Sequence, residues 1–190
     1  MPSIPNKKFT LILFLIVIAD LIASYFCYLQ TPLLGDLADN VLPAERCKHI
    51  LSDPIGIKAL TTGESYVSSN RFFVHWFIYH YFNQVPLWLQ NFTNPVDSVY
   101  MCCAFIKTFT HIGISSIFTY WIVGKNNLRS YRTLIIFGLI SSLFLASPYG
   151  YFFPMRVVDQ SIVYTFAYAF SMFFILLYLH PFVCMHQGMS

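Results

Sequence analysis

From Phe9 to Tyr28 the chain carries a single charge, Asp20, in an otherwise apolar run that follows Asn6, Lys7 and Lys8. A run of about 20 apolar residues is what a helix needs to cross the roughly 30 Å of hydrocarbon in a bilayer. The apolar core of a cleaved signal peptide is shorter, about 7 to 15 residues, and ends at small residues. This run continues through Tyr25, Phe26, Cys27 and Tyr28, so it reads as an uncleaved anchor. Three further apolar stretches follow, at about 96–123, 133–149 and 162–180. The second begins after Asn94-Pro95, a capping residue with proline at the first helical position, and Gly124 closes it. The third is short, ends at Ser147-Pro148, and is flanked by Tyr131 and Tyr149 as interfacial aromatics. His180-Pro181 marks the expected end of the fourth.

Composition agrees: 57% of the 190 residues are hydrophobic and 10% are charged, against roughly 25% charged in soluble domains. A disordered chain needs low hydrophobicity and is excluded. Five cysteines cannot all pair internally, which excludes a fully disulfide-paired secreted scaffold. The eleven Lys and Arg form no basic run, so no nucleic-acid partner is expected. The fold class expected is all-α integral membrane, a single membrane domain over 1–190 with about four transmembrane helices and the lipid bilayer as its first partner.

Orientation follows from the short loops, because basic residues near span ends stay cytoplasmic. Lys7 and Lys8 precede the first span, and Lys125, Arg129 and Arg132 lie between the second and third. Both termini are therefore expected inside, with loops 31–94 and 148–161 outside. Loop 31–71 concentrates charge at Asp36, Asp39, Glu45, Arg46, Lys48, Asp53, Lys58, Glu64 and Arg71. Short helices are expected over 43–51 and 54–60, each with proline near its first turn, and a break at Thr61-Thr62-Gly63. The aromatic stretch 71–90 is divided by Pro86 and interleaved with His75, His80, Asn83 and Gln84, so it reads as an interfacial or re-entrant helix.

Asp36 and Asp39 stand three apart just beyond the first span, on one face if the turn is helical. Such a pair can act as a general base or bind a divalent cation; the plainer reading is a helix cap with a second acid at the helix's positive end. Within the spans, Asp20 and Lys107 are opposite charges that each need a partner in lipid. A depth count puts them at similar distances from the outer surface, and His111 lies one turn from Lys107. They read as a structural pair, or alternatively as the lining of a polar cavity. In the second outer loop Arg156 can clamp a phosphate, with Asp159 beside it; the plainer reading is a snorkelling arginine and a capping aspartate. His75 and His80 lie off a common helical face and make no metal motif. Cys102-Cys103 read as small packing residues. Asn91-Phe92-Thr93 matches a glycosylation triplet on the expected outer side.

One span, Asp36 and Asp39 directly after it, a long outer loop with short helices and an aromatic stretch, and a second outer loop with Arg156 and Asp159 together resemble the N-terminal part of GT-C superfamily membrane glycosyltransferases. The stretch from Gly35 through Arg71 to Asp97 is most similar to the first outer loop of bacterial members. The resemblance implies a bacterial inner (plasma) membrane and a polyprenyl-phosphate sugar donor. It also implies an acidic residue of the first outer loop as base or metal ligand, by position Asp36 and then Asp39. Members of that superfamily usually have eight or more spans, so the resemblance implies an N-terminal portion or a small relative. The competing expectation is a non-catalytic four-span subunit that docks a membrane protein partner through its outer loop.

Overall fold

The structure is a computed structural model that describes residues 7–33, 36–42, 45, 48–66, 72–144, 157–158 and 160–188. Among them the chain forms helices and turns, with no strand. In chain order these are α1 (Lys7–Leu29), α2 (Asp36–Val41), α3 (Lys48–Ser52), α4 (Ile57–Thr62), α5 (Phe72–Leu89), α6 (Pro95–Val123), α7 (Tyr131–Ser142) and α8 (Ile162–His186). Three of them, α1, α6 and α8, are long and apolar enough to cross a membrane; α7 is shorter. The last residues of the expected third span, 145–149, lie outside the described residues.

Helix α6 is the axis of the molecule, with α1, α5, α7 and α8 packed around it. Its buried face explains why. Ser98, Cys102, Cys103, Ala104, Thr110, Ser115 and Thr119 are all buried, and small or hydroxyl-bearing residues let helices approach closely and hydrogen-bond in a medium where apolar burial drives little association. Gly113 marks the tightest approach, because a Cβ there would lie 2.5 Å from the Phe173 ring of α8. By contrast, α1 buries only Ser24 and Tyr28 and exposes Leu11, Ile12, Leu15, Ile16 and Ile22. Its apolar side faces outward, as it does where the surrounding solvent is lipid.

Asn94 caps α6, its side chain accepting from the Asp97 amide at 2.8 Å. Gly124, at φ 75°, ends it. Ser161, two residues after Asp159, caps α8 by accepting from the Tyr164 amide at 3.5 Å. Inside α8, residues Thr165–Phe170 widen to a π-helix, and the Ser171 hydroxyl bonds to the Phe166 carbonyl at 3.0 Å.

Two proline expectations are corrected. Neither Pro86 nor Pro181 interrupts its helix: α5 runs on to Leu89 and α8 to His186. Each proline removes one backbone donor four residues beyond Phe82 or Leu177; at Pro86 the packing of α5 outweighs the cost, whereas Pro181 is exposed. Phe82 is in the core against Phe166, and Pro86 and Leu89 are buried.

The helix expected over 54–60 begins later, at Ile57, while most of the first residues of the one expected over 43–51 lie outside the described residues. Asp53 sets the start of α4, each carboxylate oxygen accepting a backbone amide at 3.0 Å, from Ile57 and Lys58. Gly56 (φ 74°) precedes α4 and Gly63 (φ 70°) ends it, so Thr61 and Thr62 belong to the helix and the break falls at Gly63 alone.

Candidate functional site: a cavity beside α5 and a buried polar chain

Helix α2 packs on α5 and against the beginning of α8, and α3 packs on α5 beside it. Between α2, α3 and α5 is a cavity of about 600 Å³ lined by Val41, Leu42, Lys48, Leu51, Ser52, Tyr79, His80 and Asn83. Its walls combine aliphatic surface with an ammonium, an imidazole, two hydroxyls and an amide, the mixed chemistry of a small-molecule site. Lys48 is ion-paired with Glu45, three positions earlier, and both are exposed. The ring of His80 lies 4.5 Å from that of Trp76 and 5.3 Å from that of Tyr79, which holds the imidazole in place from two sides.

Asp36 is the first residue of α2, and Asp39, exposed on the same short helix, lies three positions later. The Asp36 side chain, Arg156 and Asp159 lie outside the described residues. Among the described residues no three His, Cys, Asp or Glu side chains gather around one point.

Asp20, His111 and Lys107 enter a series of hydrogen bonds whose two branches meet at Tyr28, one at its carbonyl and one at its hydroxyl. Lys107, 1% exposed, donates to Thr31 Oγ1 at 2.9 Å and to the Gln160 carbonyl at 2.7 Å. Thr31 in turn donates to the Tyr28 carbonyl at 2.7 Å. One turn along α6, the two nitrogens of His111 are engaged from opposite sides. Nδ1 meets the Tyr28 hydroxyl at 3.3 Å and Nε2 meets the Ser141 hydroxyl at 2.9 Å. Ser141 donates to Asp20 Oδ2 at 2.6 Å. Phe144 lies flat on the imidazole, with ring centroids 4.0 Å apart.

Asp20 and Lys107 therefore stand at the two ends of this series. A depth count from the sequence puts them at similar depths, whereas the contacts place Lys107 opposite Thr31, just beyond the end of α1, and Asp20 lies nine residues before that end. Sequence reasoning finds Asp20, Lys107 and His111 because ionisable groups in apolar runs are conspicuous. It misses Tyr28, Thr31 and Ser141, which connect them; the signal available is that a hydroxyl in a membrane helix seeks a partner on a neighbouring helix. The cavity residues Lys48, Ser52, Tyr79, His80 and Asn83 are also missed, since three separate helices bring them together.

Outside the spans, Tyr66 donates to Glu64 at 3.0 Å, stacks on His49 and meets Phe72 edge-on. Desolvation among these groups, and then the Glu64 carboxylate, push its phenol up to about 12.

Comparison of the chain with models of protein families, with curated proteins and with solved structures finds no match.

Proposed function

We propose that this chain is a membrane glycosyltransferase of the GT-C type, or the N-terminal portion of one, that transfers a sugar from a polyprenyl-phosphate donor at the outer face. The observation that carries the reading is the cavity of about 600 Å³ between α2, α3 and α5, walled partly by polar groups and adjoining the helix that bears Asp36 and Asp39. In this reading the chain crosses a bacterial inner membrane four times with both termini cytoplasmic, and α7 with the residues after it is the third crossing. The aromatic helix α5 lies at the interface, where Trp and Tyr are favoured.

In the proposed step Asp36 takes the proton of an acceptor hydroxyl, with Asp39 as its neighbour. The acceptor oxygen then bonds to the anomeric carbon while that carbon's bond to the phosphate oxygen breaks. Arg156, with Asp159 beside it, balances the charge on the departing lipid phosphate.

The test is turnover of polyprenyl-phosphate sugar in membranes carrying the full-length gene product. Asp36→Asn keeps the size of the side chain but cannot accept the proton, so activity should fall about 10²- to 10⁴-fold at unchanged protein level. If Asp36 only caps α2, Asn caps equally well and activity is unchanged. A wild type that turns over nothing and co-purifies tightly with a second membrane protein supports the non-catalytic subunit instead.

A further inference from the structure

Asp20 lies nine residues below the end of α1, about 14 Å from its outer terminus. It is exposed on a helix whose other exposed residues from Phe9 to Phe26 are apolar, and its carboxyl accepts a hydrogen bond from Ser141. An ionised carboxylate on such a surface is strongly disfavoured. Two arrangements remove the charge where it arises, Asp20 as the neutral acid beside neutral His111 or Asp20 ionised beside an imidazolium, whereas the Lys107 ammonium lies one turn further along α6 and is bonded to Thr31 and the Gln160 carbonyl. The two arrangements differ only in where one proton sits, and a single hydroxyl separates the two places.

The hydrogen-bond inventory fixes the route. Ser141 has one proton, given to Asp20 when that group is ionised, so its oxygen accepts from His111 Nε2. Moving the proton from the imidazolium to the acid breaks the Nε2–H bond, passes that proton to Ser141 Oγ, and passes the serine proton to Asp20 Oδ2. One N–H and one O–H bond break, two O–H bonds form, and no electrons are exchanged. Tyr28 then serves the far nitrogen, accepting from Nδ1–H of the imidazolium in one state. In the other state Nδ1 keeps its proton and Tyr28 continues to accept from it while Nε2, now bare, accepts from Ser141.

We propose that Asp20, Ser141 and His111 form an intramembrane proton-binding site in which one proton is shared between the carboxylate and the imidazole across the serine hydroxyl. The groups that face it are few. From α1 come Tyr28 and Asp20 itself, and from α6 comes Lys107, one turn from His111. α7 contributes Ser141, its own ionisable residues Tyr131 and Arg132 being at its opposite end. The Tyr81 hydroxyl of α5 is given to the Cys102 carbonyl, and α8 meets α6 at Phe109 and Gly113. The site is distinct from the cavity beside α5 and does not depend on how that cavity is used.

The test uses the full chain reconstituted in phosphatidylcholine vesicles at neutral pH, observed by infrared difference spectroscopy for a carboxylic-acid carbonyl band and by nitrogen NMR for the His111 ring. The expected result is one proton in total, seen as an acid band that Asp20→Asn abolishes together with an imidazolium signal that His111→Phe abolishes, in fractions that sum to one; either signal alone overturns the sharing. A carboxylate together with a neutral imidazole in the wild type overturns the proposal. Ser141→Ala, which leaves both titrating groups, tests the bridge. In the wild type the acid band and the imidazolium signal change in opposite directions together with temperature; in Ser141→Ala that coupling should be lost. Coupling that persists in Ser141→Ala overturns the sharing, and circular dichroism of each variant establishes that the helices are intact.

Discussion

Lys107 shows what a single residue does in this fold. Its ammonium is 1% exposed and bonds to Thr31 and to the Gln160 carbonyl, tying α6 to the chain just beyond α1 and just before α8. Lys107→Met keeps the length of the side chain and removes the donors, leaving two acceptors to find other partners. A stranded buried polar group costs about 1–3 kcal/mol, so the unfolding midpoint of the detergent-solubilised variant should fall; an unchanged midpoint would show that these bonds do not hold the termini of α1 and α8. Charge in an apolar run is legible in a sequence, which is why Lys107, Asp20 and His111 stand out there. The hydroxyl that reaches Asp20 is not, because Ser141 lies 121 positions away and serine is unremarkable in a membrane helix. A double-mutant cycle on Ser141→Ala and His111→Phe should show a coupling of about 0.5–3 kcal/mol, since the two groups touch. Tyr66, outside the spans, gives a pH prediction. Its pKa is raised from 10.0 to about 12, so its contribution to the outer loop is present below pH 10 and lost as pH rises through about 12. The absorbance difference between wild type and Tyr66→Phe should show one phenol ionising near the upper value, and a phenol ionising at 10 would contradict the contacts with Glu64 and His49.

Whole helices were legible by their apolar length and less so by their punctuation. The runs that became α1 and α6 announce themselves through composition and through the Asn94-Pro95 cap, whereas Pro86 and Pro181 look like stops and are not. Proline removes one hydrogen bond and crowds one carbonyl, a local cost that aromatic packing of α5 on α8 offsets at Pro86. Phe77 alone sits 5.7 Å from Phe166 and 5.1 Å from Phe170, ring centre to ring centre. Such packing joins residues almost a hundred positions apart, so no local pattern reports it. The same close contact between helices makes Gly113 sensitive. Its missing Cβ leaves room for Phe173, whose ring is itself held against Phe109 and Phe170. Gly113→Ala should destabilise the α6–α8 contact by about 1–3 kcal/mol through overpacking, measured as a lower thermal midpoint. Phe173→Leu in the same chain should recover part of the loss, and a Gly113→Ala protein as stable as the wild type would mean that the two helices are not so close.

At the scale of the molecule the question is which end faces which side of the membrane. Phe9 near the start of α1 meets Tyr131 at the start of α7, with ring centroids 6.1 Å apart. That contact brings Lys7 and Lys8 to the same end of the helices as Lys125, Arg129 and Arg132. In the proposed orientation these five cations mark the cytoplasmic side, as the positive-inside rule expects. The opposite end carries α2, α3 and α4, with their mixed charges and the cavity over α5. Each crossing by α1 and α6 reverses the side of the chain, so the segment after α1 and the segment after α6 belong to opposite faces. Reporters fused at Gly63, in the exposed turn that ends α4, and at Asn126, in the exposed link after α6, should therefore read out on opposite sides, Gly63 outside and Asn126 inside. Adding negative charge to the link, by Arg129→Glu and Arg132→Glu together, should weaken this preference because the basic residues set it. If both reporters fall on one side, α5 and α6 together make an even number of crossings after α1, and α5 spans the membrane rather than lying along its surface.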